Sequence, residues 1–472
     1  MAVSREILAD VETPVSAYWK VAHAAKYSFL LESVTGGEQL ARYSILGVNP
    51  RAVLRSKGRK VTKESGGTTT EWELKDGEDP LTALAAEMPN EHPILSDVLP
   101  PFVGGAVGML SYDFVRFVEK LGPGPEDDLK VPDMAMMLVE SAIVFDHAKN
   151  LIHVVSLADG TKEGYEKACE AIDHLVLLLR CPLPPLPSGS WPSGEVSANI
   201  PESRYEANVA RVVQLLTEGH GQQVVPSQRF STPVQAHPLT VYRALRSINP
   251  SPYMFLLRWG DFDHVGASPE LHVSLHNGVA RLRPIAGTRW RGESAAEDDR
   301  LAKELLEDEK ERAEHVMLVD LGRNDLGRVC SFGTVKVGEL MVIERYSHVM
   351  HIVSDVTGQL APGRDVYDLI RATFPAGTVS GSPKVRAMQI IDELETTRRG
   401  VYAGTVGNIS ATGETDLCIT LRTILLKDGM GYVQAGGGVV YDSDPGYEYR
   451  ESCNKAKAAL RAIQSAQAGL ES

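Results

Sequence analysis

The stretch LHVSLHNGVARLRPI, residues 271–285, decides the fold. Two runs rich in β-branched and apolar residues flank Asn277-Gly278, a dipeptide that adopts positive φ in a tight two-residue turn, so the stretch predicts a β-hairpin. Working outward, CITLRTILL (418–426) and GYVQA (431–435) stand around Asp428-Gly429 in a similar way. Met134 to Phe145 and Leu151 to Leu157 read as hairpin strands joined around Ala148-Lys149-Asn150. Helical stripes separate these strands. Tyr165, Cys169, Ile172, Val176 and Leu179 form one, and Val209, Val212, Val213 and Leu216 form another, opened by a Ser203–Glu206 capping box and stopped at Gly219. Long acidic helices are expected at about 296–319, 382–395 and 446–466. Hairpins alternating with helices in this way predict an α+β fold, with extended antiparallel sheet and helices packed outside it.

The 472 residues, 43% of them hydrophobic, suffice for a substantial core. A net charge of -14 and the lack of any Lys/Arg run argue against nucleic acid as a partner. Five scattered cysteines without a CxxC pair suggest neither a disulfide framework nor a zinc site, and a reducing cytoplasm fits them. No apolar run approaches the length of a membrane span, and the N-terminus lacks a signal-peptide pattern. The composition breaks clearly at CPLPPLPSGSWPSGEVSA, residues 181–198, which reads as a linker or a surface excursion. It divides the chain into a strand-rich region, 1–180, and a second region, 199–472.

Two carboxylate pairs, Glu311 with Glu314 and Glu448 with Glu451, have i,i+3 spacing in helical sequence, and Lys455 follows four residues after the second. Each pair therefore projects from one helical face, and two such faces brought together would cage a hard cation such as magnesium. The spacing also arises by chance in an acidic chain. Glu304 and Glu307 share it and read as a solvated face. Three segments carry more glycine and small polar residues than packing requires. FPAGTVSGSPK (374–384) leads to a helix that Ser382 would cap, whose amides could hold an anion. Gly436-Gly437-Gly438 allows close ligand approach or a plain β-to-α turn. PIAGTRWRG (284–292) is expected to join a strand end to an acidic helix. His351, in the strand-like SHVMHIVSDV, is either a hydrogen-bonded core residue or a functional one. Arg422, inside an apolar strand, needs a buried acid or a ligand carboxylate as partner.

Together with these segments, QVVPSQRF (223–230), NPSPYMF (249–255), ASPE (267–270), AEHVMLVDLGRNDLGR (313–328), QAGGGVV (434–440) and ESCNKAKA (451–458) occur in the order found in the chorismate-utilising enzymes. The chain resembles that family over roughly residues 200–460, and within it the large subunits of anthranilate synthase. LLES (30–33) extends the match toward the N-terminus. The resemblance implies the family's fold, antiparallel sheets packed in a sandwich with helices outside. It further implies Mg2+ held through Glu314 and Glu451 with Glu311 and Glu448 beside them, anchoring the ring carboxylate of chorismate. Arg422, Lys455, Tyr402 and the amides of Gly436, Gly437 and Gly438 match the other carboxylate anchors, and Ala286, Gly287 and Thr288 line the substrate. Glu270 matches the general acid that protonates the departing ring hydroxyl. His351 and Thr378 match residues near the breaking bonds, with His351 assisting the elimination of pyruvate.

Two positions choose the nucleophile. Isochorismate and salicylate synthases resemble this chain but use lysine to activate water where it has Gln223, and an amide is no general base. Aminodeoxychorismate synthases carry lysine in PIKGT, where this chain has Ala286. Ammonia attacking carbon 2 is the reading left, giving anthranilate and pyruvate. No GxCxG amidotransferase segment is visible, so glutamine would be hydrolysed on a separate amidotransferase subunit, or free ammonia would be used. Leu31, Glu32, Ser33, Asn249, Pro252, Tyr253, Met254 and Val406 resemble the tryptophan feedback pocket. Pro226 and Asn408 depart from the family pattern, which usually has an aliphatic residue and a tyrosine there. The alternatives are a synthase that stops at 2-amino-2-deoxyisochorismate, an aminodeoxychorismate synthase, and a catalytically silent tryptophan-binding subunit.

Overall fold

The computed structural model describes residues 1–34, 42–89, 99–346 and 349–470. Two antiparallel sheets of eleven strands each form its centre. The first runs Ala2–Leu8, Leu151–Leu157, Ser141–Asp146, Tyr43–Val48, Ser28–Glu32, Tyr253–Arg258, Phe262–Ser268, Thr423–Lys427, Met430–Gly436, Ser227–Pro233, Ser197–Ala198. The second runs Lys336–Val337, Val356–Gln359, Val279–Leu282, Leu271–His276, Thr415–Ile419, Thr405–Ser410, Gly105–Leu110, Met134–Val139, Ala52–Lys57, Lys60–Ser65, Thr68–Glu73.

Alternation along the strands sorts their side chains into layers. Val107 and Met109 pack between the sheets against Phe29, Phe255 and Leu425, while their neighbours Ala106 and Leu110 face the outer helices Pro80–Glu87 and Val366–Thr373. The outer face of the first sheet is covered by helices Pro14–Ala22, Lys162–Arg180, Pro238–Ile248 and Pro445–Ala468. The expected α+β sandwich is therefore present. Its hairpins turn where the sequence places them, with Asn277 and Gly278 at φ 51 and 75, and Asp428 and Gly429 at 52 and 74.

Several boundaries differ from the sequence reading, each for a local reason. The segments 134–145 and 418–426, expected as single strands, each divide between the two sheets, at Glu140 and at Thr420–Arg422. The acidic helix expected at 296–319 is two helices, Ala295–Glu307 and Glu309–Gly327. Asp308 breaks it with ψ 111 and caps the second helix by accepting from Lys310 N and Glu311 N. Helix Glu202–Thr217 begins behind Pro201, which places Ser203 inside the first turn, where it caps nothing. On Lys162–Arg180 the stripe is rotated: Ala168 and Leu175 are buried, and Tyr165 is exposed.

Ser382 belongs to a short bridge with Gln223 instead of capping, and helix Lys384–Leu394 starts behind Pro383. The PIAGTRWRG segment contains a strand, Ile285–Trp290, in a three-stranded sheet with Val349–Val353 and Val342–Arg345. The 181–198 segment runs over the first sheet's helices, where Trp19 Nε1 donates to Pro185 O and Trp191 N to Gln467 O, and ends as an edge strand. Both sheets draw strands from either side of it.

His264 sits fully buried between the sheets, and neither ring nitrogen has a hydrogen-bond partner among the described residues. Burial pushes its pKa down to about 3, so folding favours the neutral ring. The unfolded chain then binds the extra proton, and stability present above pH ~6.5 is lost as pH falls toward 3. His264→Leu is expected to be the more stable chain by about 2 kcal/mol at pH 5. Urea unfolding across pH 4–7 measures this, and superimposable pH dependences for the two chains would contradict it.

Candidate active site

Two neighbouring strand pairs build the site by changing sheets side by side. Phe262–Ser268 leaves the first sheet and re-enters the second as Leu271–His276, through Pro269 and Glu270. The antiparallel partner runs back from Thr415–Ile419 to Thr423–Lys427 through Arg422. At this split Ala267 N donates to Arg422 O (3.3 Å) and Ile419 N to Glu270 O (3.0 Å). The carboxyl and the guanidinium thus meet on one cavity wall. Arg422 is held at φ +50, a conformation costing a non-glycine residue about 1–3 kcal/mol, which is stored where strands diverge.

The cavity measures about 550 Å³. Glu270, His351 and Thr378 line it, as do Gln223, Ala286, Gly287, Thr288, Tyr402, Arg422, Gly436, Gly438 and Lys455, and all four carboxylates Glu311, Glu314, Glu448 and Glu451. Gly437 alone of the expected set lies behind the wall, where a Cβ would stand 2.8 Å from Glu448 Oε2. A Cβ on Gly436 would meet Pro226 O at 2.2 Å, and one on Gly438 would meet Gln223 Nε2 at 2.4 Å. Close approach is thus what these glycines serve. Gly287, at φ +66, forms a bulge against the His351 strand, and a Cβ there would lie 3.1 Å from Glu311 Oε2. The 374–384 segment contributes Thr378, while the helix end behind Pro383 does not reach the cavity.

Glu270 is 7% exposed, and burial pushes its carboxyl up to about 8, against the opposing pull of Thr378 and Arg422. The Thr378 hydroxyl lies close enough to favour the ionised form, yet makes no hydrogen bond of ordinary geometry. Burial likewise lowers Arg422, whose guanidinium has no hydrogen-bonded or ion-paired partner among the described residues. His351 Nδ1 lies 2.9 Å from Gly287 O and 3.1 Å from Thr288 Oγ1. A carbonyl only accepts, so Nδ1 carries the proton and Nε2 presents a lone pair; burial lowers the ring pKa and keeps it neutral.

Each carboxylate is engaged by a different donor. Gln223 Nε2 donates to Glu314 (2.9 Å), Arg289 to Glu311 (3.2 Å), Ser443 to Glu448 (2.8 Å), and Lys455 pairs with Glu451 (2.6 Å). Among the described residues no three acidic, histidine or cysteine side chains stand close enough to hold a metal ion. Their chemistry nevertheless suits a hard cation. Burial raises the pKa of Glu311 and of Glu448, and Glu314 and Glu451 add like-charge repulsion, respectively. Glu448 Oε2 is buried without a partner among the described residues. An all-oxygen set with mutual repulsion and a free lone pair fits magnesium once the carboxylates exchange those donors for it.

The sequence reading passed over several wall residues. Lys310 reaches Asp442 (3.2 Å) across the mouth, and its place beside Glu311 was the available signal. Behind the wall, the fully buried Arg399 pairs with Glu395, donates to Val225 O (2.6 Å) and Val379 O (2.8 Å), and lies over the Tyr402 ring. Nothing local in ETTRRG marks that role.

The expected effector residues gather elsewhere, where Ser28–Glu32 pairs with Tyr253–Arg258 and places Met254 opposite Glu32. Val406 packs between the sheets with Leu31 and Tyr253. Ser33 Oγ and Asn249 Nδ2 are buried without hydrogen-bond partners among the described residues. The Glu32 carboxylate accepts from Tyr242 and Arg246. Pro252 precedes the paired strand, and Asn408 stands opposite Asp416.

In this sandwich an acid and an arginine at the strand split share one cavity with four carboxylates. The family model described as chorismate binding enzyme matches residues 26–461, and the chain belongs to that family. Within it, the chain is 46% identical to anthranilate synthase component 1 of Pseudomonas aeruginosa, covering 99% of this chain and 96% of that one. It is 44% identical to anthranilate synthase component 1 of Acetivibrio thermocellus, over 98% and 95%. The crystal structure of anthranilate synthase component I from Streptococcus pneumoniae TIGR4 superposes with a TM-score of 0.80 at 40% identity, covering 96% and 99%. The menaquinone-specific isochorismate synthase MenF of Escherichia coli, at 18% identity and a TM-score of 0.74 over 98% and 95%, shares the fold.

Proposed function

We propose that the chain is the chorismate-converting large subunit of an anthranilate synthase, forming anthranilate and pyruvate from chorismate and ammonia. The observation that carries this reading is the pairing of a protonated acid, Glu270, with an amide, Gln223, in one cavity. Gln223 is 2% exposed; its Nε2 is committed to Glu314, and its Oε1 has no partner among the described residues and is not sealed from the cavity. A carbonyl so placed accepts a hydrogen bond from ammonia, whereas it removes no proton from water.

The steps follow from the side chains. Arg422, Lys455 and Tyr402 take the substrate carboxylates, and Arg422 gains the anionic partner that its buried position lacks. The nitrogen of ammonia bonds to carbon 2 as the ring hydroxyl departs with the Glu270 proton, leaving as water. The new ammonium group then loses a proton. In the second step the Nε2 lone pair of His351 removes the ring proton, the ring carbon–oxygen bond to the enolpyruvyl group breaks with its electron pair going to that oxygen, and the departing enolate takes up a proton to become pyruvate as the ring becomes aromatic. Magnesium bound through Glu314 and Glu451, with Glu311 and Glu448 beside them, would neutralise the ring carboxylate and withdraw electrons from the ring.

Chorismate incubated with ammonium and magnesium is expected to yield anthranilate and pyruvate in equal amounts. Accumulation of the non-aromatic aminated intermediate as the end product would overturn the assignment. Glutamine is expected to replace ammonium only when a separate amidotransferase subunit is added, in a reaction that we place in the cytoplasm. Tryptophan is the proposed feedback inhibitor, supported by Ser33 Oγ and Asn249 Nδ2, which lie beside an apolar strand pair and have no partner among the described residues. Ser33→Ala should raise the tryptophan concentration for half inhibition by about tenfold, the worth of one hydrogen bond, and leave kcat unchanged. A wild-type enzyme indifferent to tryptophan would remove the effector reading.

A further inference from the structure

Behind Glu270 lies a second cavity of about 40 Å³, which shares Glu270, Thr378 and Leu318 with the substrate cavity. Such a space is too small for a ring but holds a water, which needs about 10–15 Å³ and two to four polar partners. Two candidate partners are already on its wall. Thr378 Oγ1 and His272 Nε2 are both buried and both without a hydrogen bond among the described residues. His272 is 2% exposed, so its orphaned nitrogen is not a surface accident.

The tautomer of His272 follows from its other nitrogen. Nδ1 lies 3.2 Å from Thr405 Oγ1, and that hydroxyl gives its own proton to Cys418 O at 2.9 Å. Nδ1 must therefore be the donor, and Nε2 presents a bare lone pair. The Thr373 carbonyl beside the ring also accepts from Lys384 Nζ (3.3 Å); as an acceptor, it leaves that lone pair unmet. An unmet acceptor and an unmet hydroxyl on one small cavity, next to a buried carboxyl, ask for a molecule that both donates and accepts.

We propose that this second cavity is a water site, in which one water donates to His272 Nε2 and to Glu270 and accepts from Thr378 Oγ1. The inference rests on the reading of Glu270 as the proton donor. The water occupies the carboxyl oxygen that faces away from substrate, so the O–H of the acid points into the large cavity toward the departing hydroxyl. After transfer the same water stabilises the carboxylate. His272 is on this account a positioning residue, acting through the water and touching no substrate.

The charged and titratable groups around Glu270 are Arg422, Tyr346 and His351 on the substrate side, with Arg283 and the Asp325–Lys384 pair on the far side. His272→Phe leaves all of them in place and removes the Nε2 acceptor together with the Nδ1 bond to Thr405. We expect it to lower kcat about tenfold at unchanged KM, and to move the alkaline limb of kcat to higher pH as Glu270 loses its water donor. His272→Gln, which restores an acceptor, should recover most of both effects. A crystal structure of the wild-type chain that orders buried waters should show density within hydrogen-bonding distance of His272 Nε2 and Thr378 Oγ1. An empty cavity in that structure, or a His272→Phe pH profile that superimposes on wild type, overturns the inference; if the phenylalanine variant does not fold, the wild-type density and the glutamine variant decide it. Glu270→Gln separates the two claims, because full turnover in that variant removes the acid role, whereas loss of turnover with an empty cavity removes only the water.

Discussion

Glu270→Gln is expected to lower kcat by about 10²–10⁴-fold while KM stays within about threefold, the usual loss when a general acid is removed from an intact site. Glutamine matches the carboxyl in size, so the split between Phe262–Ser268 and Leu271–His276 keeps its geometry, but an amide has no proton to give to the departing hydroxyl. The wild-type pH profile supplies an independent check. With its carboxyl pushed up to about 8 by burial, Glu270 is mostly protonated at neutral pH and ionises above it. Activity should therefore fall as pH rises through about 8, and that limb should be missing from any residual activity of the variant. Single-turnover kinetics across pH 6–9 measures both. A variant within tenfold of wild type would sink the proton-donor role.

Glu451→Gln should cost kcat/KM about 10²–10³-fold at limiting magnesium, several kcal/mol at ~1.4 kcal/mol per tenfold. The carboxylate lies on helix Pro445–Ala468, one turn before Lys455, which pairs with it at 2.6 Å. Neutralising it removes an anionic oxygen from the proposed ion and leaves the Lys455 ammonium unopposed beside the cavity. Calorimetric titration with magnesium in the absence of substrate isolates the first effect, and the variant should show weaker binding. Identical magnesium affinity in both chains would contradict the proposed ligand set, whatever the activity. Excess magnesium should recover part of the loss, since the three remaining carboxylates still line the same cavity.

How far the sequence reached depends on the range of each interaction. Hairpin turns at Asn277-Gly278 and Asp428-Gly429 are local backbone preferences, and they stand where expected. The acidic helix expected at about 446–466 runs Pro445–Ala468 and carries Glu448 and Glu451. The errors share a cause. An unbroken apolar run such as CITLRTILL does not reveal that its two halves pair with strands in different sheets, because that choice is made by residues far away in sequence. Asp308 was read as helix interior, but its side chain caps the following helix and divides the acidic segment in two.

By itself, the sequence named groups that the fold brings to one cavity: the Glu270 carboxyl, four further carboxylates, Arg422, the glycines Gly436 and Gly438, and the Gln223 amide. Residue chemistry and ordered motifs are enough for that, since they are properties of the chain. The state of those groups was decided only by the tertiary structure. Burial at the crossing of two sheets raises Glu270 and leaves Arg422 without a partner among the described residues, and contacts between segments distant in sequence give Glu314 to Gln223 and Glu311 to Arg289. Desolvation and hydrogen bonding act through space, and strand pairing between distant segments sets which residues share that space.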